Sequence, residues 1–249
     1  MKVAGARILV VGGVHRLGGA LALDLAAHGA AVCVSSRTAG EEADAQVGAL
    51  RAAGAPLAAA ATGDVRRPAA AASLVAAAAA VLGGLDGLVY AASGPFVPRP
   101  PEAVDEASWD ASLDTIAKGF FFTAVAARRR FVADGATGGV IVAITDYLGL
   151  QPWTAFAAHG AAKAAQIHLV KELARAWTNG GVRVCGVAPG PVDLEEDEHR
   201  AATLRAAAKV AAERLVAPAD VGAAVRFCLE TDAVTGVNVV VDNGSLVMS

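Results

Sequence analysis

Residues 7–25, RILVVGGVHRLGGALALDL, constrain the fold more than any other stretch of the chain. The run from Ile8 to Val11 is too short for a buried helix and rich in β-branched residues, so it reads as a central parallel strand. Gly12 and Gly13 then let the backbone turn sharply and leave it open to close approach. Leu17, Leu21 and Leu25 repeat at helical spacing, and Gly18 and Gly19 lie where that helix must pack tightly on the strand. The first-turn amides of such a helix, with the helix dipole behind them, suit a phosphate. The unit as a whole points to the pyrophosphate of a dinucleotide.

The pattern continues to alternate. Short apolar runs at 30–35, 57–61, 86–92, 138–145, 180–187 and 237–241 read as strands, the sixth of the seven being stopped by Ala188-Pro189-Gly190. Helical stretches are expected at 41–53, 68–82, from about 108 through the apolar run 116–131, at 156–177 and at 218–229. The segment 68–82 is almost all alanine and makes sense as a helix because alanine has the best helix propensity. The proline-rich stretch 95–101 must be a loop, and a charged, alanine-rich segment at about 193–215 is expected to be a mobile helical lid. Strands alternating with helices, with no linker between them, imply one domain over residues 1–249. Its expected architecture is α/β, a doubly wound parallel sheet with helices on both faces.

Composition bounds the function. The chain is 249 residues long, 55% hydrophobic and 18% charged, which allows a large core. Its net charge of -3 gives no reason to expect nucleic acid, and the one basic cluster, Arg128 to Arg130, reads as a solvated helix face. No run is long and apolar enough to span a bilayer, and no signal-like segment precedes the first strand, so a cytoplasmic location is expected. Cys33, Cys185 and Cys228 lie far apart and read as reduced core thiols, with no metal-ligand spacing.

The end of the second strand discriminates between dinucleotides. An acidic residue there would accept from a free ribose 2'-hydroxyl, but this chain has Ser36, Arg37 and Thr38. Arg37 offers a planar fork of donors for a 2'-phosphate and the hydroxyls can add to it, so NADP is expected rather than NAD. Asp64, at the carboxyl end of the third strand, either contacts adenine or caps the next helix, and Val65 joins it in the expected binding set. His15 follows the glycine turn, either against phosphate or simply exposed in the loop.

Seven stretches in order, VGGVHRLGGALA, GDV, AKGFFFTAVAA, GGVIVAIT, AAHGAAKAAQIHLVKELA, VRVCGVAPGPV and VTGVNVVVDNG, resemble the short-chain dehydrogenase/reductase family over essentially the whole chain. The resemblance implies a single-domain Rossmann-like fold, a nicotinamide cofactor, a small-molecule substrate and a homotetramer or homodimer. It adds Gly12, Leu17, Gly18, the backbone of Ala92 and Ser93, and the loop Pro189-Gly190-Pro191-Val192 to the expected cofactor contacts. Arg16, where the family more often has glycine, and Asp146 resemble the pteridine reductase branch, in which the arginine lies near the cofactor phosphates and the pterin.

Family enzymes place a serine after the fifth strand and a Tyr-x-x-x-Lys pair on the following helix. The matching residues here are Asp146, His159 and Lys163. The spacing of His159 and Lys163 puts both on one helix face. In the family the lysine binds the nicotinamide ribose and lowers the tyrosine pKa so that it can protonate the substrate oxygen. Imidazole is shorter than tyrosine but titrates near neutrality, and Asp146 could pair with it to form a coupled acid dyad. Ile116 stands where the family has an asparagine that supports a water relay. Tyr90-Ala91-Ala92 replaces an Asn-Asn-Ala run, so the hydrogen bonds that brace the central strands are expected to be missing. Phe96, Tyr147, Trp153 and Phe156 could line a pocket for a flat or hydrophobic ring, although core packing explains Phe156 equally well. His168 and His199 have no partner that spacing can identify, and Asp197 and Glu198 read as a solvated face.

The expected activity is NADPH-dependent reduction of a carbonyl or ring C=N group. Two other classes use the same residues: a cofactor-binding scaffold or partner subunit without redox chemistry, and a lyase or cyclase with Asp146 and His159 as acid and base.

Overall fold

The structure, a computed structural model, describes residues 1–94, 96–135, 138–194 and 214–247. Seven strands, β1 (Arg7–Val11), β2 (Ala31–Ser36), β3 (Ala58–Thr62), β4 (Gly87–Tyr90), β5 (Gly139–Ile144), β6 (Val182–Pro189) and β7 (Asn238–Val241), form one sheet in the order β3-β2-β1-β4-β5-β6-β7. Every pairing is parallel. The helices are α1 (Arg16–Ala27), α2 (Glu41–Ala52), α3 (Pro68–Leu82), α4 (Glu106–Leu113), α5 (Gly119–Ala133), α6 (Ala157–Trp177) and α7 (Pro218–Glu230).

Strand alternation divides the core. Ile8 and Val10 of β1 join a cluster with Leu21 and Leu25 of α1 and Val221 and Val225 of α7. Leu9 and Val11 face the other way, into a cluster with Leu74 and Ala78 of α3 and Phe120 and Ala127 of α5. A period of two along a strand buried on both faces has this outcome. In α3 the buried residues Ala71, Leu74, Val75, Ala78, Ala79 and Leu82 recur at helical spacing, so even an alanine tract carries a defined inner face.

The structure departs from the sequence reading in three places. First, the helix expected from about 108 starts at Glu106, because Asp105 caps it by accepting from the Ser108 amide at 2.8 Å. That helix is not continuous with the next, since a π-helical turn, Asp114–Lys118, separates α4 from α5. Second, the bracing expected to be missing at Tyr90 is present in another form. The buried Tyr90 hydroxyl donates to the Thr115 carbonyl at 2.5 Å, tying the end of β4 to the π turn. Third, β6 does not stop at Val187. Ala188 and Pro189 pair with Val240 and Val241, and the Gly190 amide donates to the Val241 carbonyl at 2.9 Å, so the proline ends the strand without breaking its ladder.

Most of the lid expected at about 193–215 lies outside the described residues. Its two ends are joined by a parallel bridge between Val192 and Val216, with the Asp193 amide donating to the Val216 carbonyl at 2.9 Å. Among the described residues no helix is long and apolar enough to cross a membrane.

Candidate active site

The strand order reverses between β1 and β4, and a cleft of about 1010 Å³ opens there, at the carboxyl ends of the strands. One end is built from backbone. Gly12 has φ 73°, and a Cβ on it would lie 2.9 Å from the Ala92 Cα, while a Cβ on Gly18 would collide with the Gly12 carbonyl oxygen. The loop therefore closes on the chain after β4 only with glycine at position 12, and on the start of α1 only with glycine at position 18. Arg16 has φ 50°, a left-handed conformation that costs a non-glycine residue about 1–2 kcal/mol. His15 occupies the N-cap of α1 without capping it through its side chain, which leaves the first-turn amides open to the cleft.

The rim of this end is charged. Arg37 and Thr38 are exposed, Ser36 Oγ donates to the Thr38 carbonyl at 2.6 Å, and among the described residues no ion pair involves Arg37. The exposed His15 ring lies 3.3 Å from Glu42. Asp64 does not cap α3, whose N-cap is Arg67; its carboxylate is held by Arg66 at 2.6 Å, and these hydrogen bonds push its pKa down to about 2. Spacing does show this Asp-x-Arg pair, which the sequence reading passed over along with Glu42.

The other end is built from side chains. Asp146 follows β5 and caps the short turn Tyr147–Gly149, with Oδ1 accepting from the Leu148 amide at 2.9 Å. Its Oδ2 lies 3.1 Å from Nε2 of His159 in the first turn of α6. The Asp146 side chain is 22% exposed and that of His159 5%, so the carboxylate is the member of the pair that faces the cleft. Nδ1 of His159 is buried without a hydrogen-bond partner, and Phe96 packs edge-on against the ring with centroids 4.9 Å apart. One turn along α6, the buried Lys163 donates from Nζ to the Ile144 carbonyl at 2.7 Å. Desolvation pushes its pKa down to about 8 against the opposing pull of Asp146.

Two neighbours have more limited roles. Burial, with Asp146 and Asp242 nearby, raises the pKa of the Tyr147 hydroxyl, the opposite of an activated acid. Ile116 is fully buried inside the π turn and presents no polar atom to the cleft.

Aromatic rings wall this end. Phe96 stacks on Phe156 with centroids 4.3 Å apart and planes 13° from parallel. Trp153 lies 6.2 Å from Phe156 and 5.6 Å from Tyr147. Phe156 is thus part of the cleft lining rather than of the core clusters.

The single cleft collects Gly12, His15, Arg16, Leu17, Gly18, Ser36, Arg37, Thr38, Asp64, Val65, Ala92, Ser93, Asp146, His159, Lys163, Pro189, Gly190 and Val192. His168 is exposed on α6 and away from the cleft, while Asp197, Glu198 and His199 lie outside the described residues. Besides Arg66 and Glu42, sequence reasoning missed the Ile144 carbonyl and, behind the cleft lining, the Tyr90 hydroxyl. A backbone acceptor has no sequence signal, and a tyrosine at a strand end shows nothing of its distant partner.

Residues 13–245 match the family model described as enoyl-(acyl carrier protein) reductase. The chain is 32% identical over 248 residues to 3beta-hydroxysteroid dehydrogenase 1 of Eggerthella lenta, covering 96% of this chain and 93% of that protein. It is 34% identical over 242 residues to cis-4-hydroxycyclohexanecarboxylate dehydrogenase of Sinomonas cyclohexanicum, covering 95% and 94%. A short chain dehydrogenase from Burkholderia cenocepacia J2315, solved in complex with NADP, superposes with a TM-score of 0.87 at 28% identity, covering 99% of this chain and all of that one. The chain belongs to the short-chain dehydrogenase/reductase family and is an oxidoreductase of that type, a family that uses a nicotinamide cofactor.

Proposed function

We propose that the protein is an NADPH-dependent reductase of a carbonyl or ring C=N group, with Asp146, His159 and Lys163 as its catalytic residues. The observation that carries this reading is the wall formed by Asp146, His159 and Lys163 at one end of a cleft whose other end is a glycine-tight helix N-terminus.

The residues present fit a phosphorylated dinucleotide. Gly12, Leu17, Gly18, the open amides of α1 and the side chains of His15 and Arg16 would hold the pyrophosphate. Ser36, Arg37 and Thr38 would hold a 2'-phosphate, and Asp64 and Val65 would border the adenine. The backbone of Ala92 and Ser93 and the loop Pro189-Gly190-Pro191-Val192 would line the nicotinamide half. Arg16 and Asp146 support the likeness to the pteridine reductase branch.

When bound, the reduced nicotinamide supplies hydride to the electrophilic carbon. Lys163 would bind the ribose hydroxyls and add positive charge beneath the site. Asp146 and His159 hold one proton along the Nε2–Oδ2 contact. Asp146, the more exposed of the two, faces the substrate heteroatom with His159 behind it as its hydrogen-bond partner. Phe96, Tyr147, Trp153 and Phe156 exclude water and orient a ring. We include in this reading assembly into a dimer or tetramer, which light scattering on the purified protein tests.

The experiment is a fluorescence titration with NADPH and NADH, followed by nucleotide consumption with a panel of carbonyl and C=N compounds. NADPH should bind at least tenfold more tightly than NADH and be consumed with part of the panel. If saturating NADPH leaves the melting temperature unchanged, the reading is overturned.

A further inference from the structure

We propose that the substrate is a cyclic imine taken up as its protonated iminium, with Asp146 as counter-ion and Phe96, Trp153 and Phe156 as walls. The proposal rests on the reductase reading above and narrows its substrate class.

The first ground is the inventory of groups at the substrate end. Among the described residues the ionisable groups lining this end are Asp146, His159, Lys163 and the Tyr147 phenol. The Lys163 ammonium is buried and turned to the Ile144 carbonyl. His159 is committed through Nε2 to Asp146, and its other nitrogen is sealed in the interior. Tyr147 is 6% exposed. The charged group left to meet a substrate, beside the neutral hydroxyls of Ser93, Thr115 and Tyr147, is therefore a carboxylate with one oxygen pinned by the Leu148 amide and the other by imidazole. A carboxylate stabilises a cation at close range, whereas it repels the oxyanion that develops when a ketone takes hydride.

The second ground is the balance of the reaction. A ketone that receives hydride becomes an alkoxide, and a proton must be delivered to complete the alcohol. An iminium already carries its proton. Hydride forms the new C–H bond, the C=N π pair becomes the nitrogen lone pair, and the product is a neutral amine beside oxidised nicotinamide. No acid has to act during the step. An imidazole whose second nitrogen is sealed from the cleft is a poor donor for a ketone and no handicap for an iminium.

The third ground is the wall itself. Phe96 and Phe156 stack beside the dyad, and Trp153, 39% exposed, stands next to them. Aromatic faces attract cations, most strongly where water is excluded, and accept flat apolar rings on the same surface.

The test uses the full-length protein with NADPH and four probes. These are a 3,4-dihydroisoquinoline, its N-methyl iminium salt, the ketone 1-tetralone, and the N,N-dimethyl tetrahydroisoquinolinium cation as a dead-end ligand. The N-methyl iminium has no exchangeable proton, so its turnover requires no acid. It and the imine should be reduced with kcat/KM at least tenfold above the ketone. Calorimetry should show the quaternary cation binding the NADP complex, with affinity reduced at least tenfold in Asp146→Asn and NADP affinity within twofold of wild type. Reduction of 1-tetralone as efficiently as the iminium, or cation binding indifferent to Asp146→Asn, overturns the proposal and leaves the reductase reading standing. Failure of NADPH to bind overturns both.

Discussion

The two ends of the cleft are built on different principles. Around β1, α1 and β2 the fit is steric: Gly12 and Gly18 leave no room for a Cβ, and the helix start presents amides. At the ends of β4 and β5 the fit depends on side-chain partnerships, with Asp146 on His159, Lys163 on the Ile144 carbonyl and Tyr90 on the Thr115 carbonyl. A steric fit accepts one residue type. Partnerships can be re-formed with other residues. The Tyr90 hydroxyl, reaching the π turn, ties the end of β4 to it.

Substitutions at each end should expose this difference. The largest effect is expected at Gly18→Val, where the branched side chain must displace the Gly12 carbonyl; NADPH binding should be lost altogether, and the melting temperature should fall. Retained binding in a fluorescence titration would mean the loop is not closed as described. Next comes Lys163→Met, which should reduce turnover about 100-fold or more while preserving the fold.

The same lysine leaves a mark on stability. Its pKa lies at about 8 in the folded protein against 10.5 for an ordinary lysine. Between those values the unfolded chain holds more protons than the folded one, so stability rises with pH across that window. Below the folded value this contribution is lost. Denaturation curves from pH 7 to 11 should show the rise in wild type and a smaller slope in Lys163→Met; identical slopes would place the ammonium in contact with water.

A smaller effect belongs to Arg37→Ala, which removes charge-assisted hydrogen bonds of about 1.5–3 kcal/mol. NADPH should bind roughly 10- to 100-fold more weakly and NADH about as before. An equal loss for both would remove the basis for an NADP preference. Smallest is Arg16→Gly, which relieves a left-handed arginine but adds freedom to the unfolded chain. A net gain of about 0.5–1 kcal/mol should raise the melting temperature by about 1–4 °C. A fall instead would show that contacts of the Arg16 side chain outweigh its backbone strain.

How legible each feature was depended on how local its cause is. The expected and observed bounds of α3 coincide at residues 68–82, because a proline at its start, a left-handed Gly83 at its end and helical spacing between them are all local. The i to i+4 spacing of His159 and Lys163 likewise placed both on one face of α6. The break between α4 and α5 was not legible, since the apolar pattern runs straight through it; the Thr115 carbonyl there is held by a tyrosine 25 residues earlier in the chain. The end of β6 was misread for the same kind of reason. Its last two residues are held in the sheet by β7, about 50 residues later.

The sequence by itself determined the alternation of strands and helices, the parallel sheet and the position of the phosphate turn, because hydrophobic period and glycine sterics act over a few residues. Only the tertiary structure decided which atoms of Asp146, His159 and Lys163 face the cleft. Two of these residues lie on a helix and one on a loop; the Leu148 amide fixes one Asp146 oxygen locally, but the contacts of His159 and Lys163 are set by partners from other elements, the Asp146 carboxylate and the Ile144 carbonyl. Burial makes those partnerships costly to leave unmade, so packing rather than sequence spacing settles which nitrogen is shared and which is sealed away.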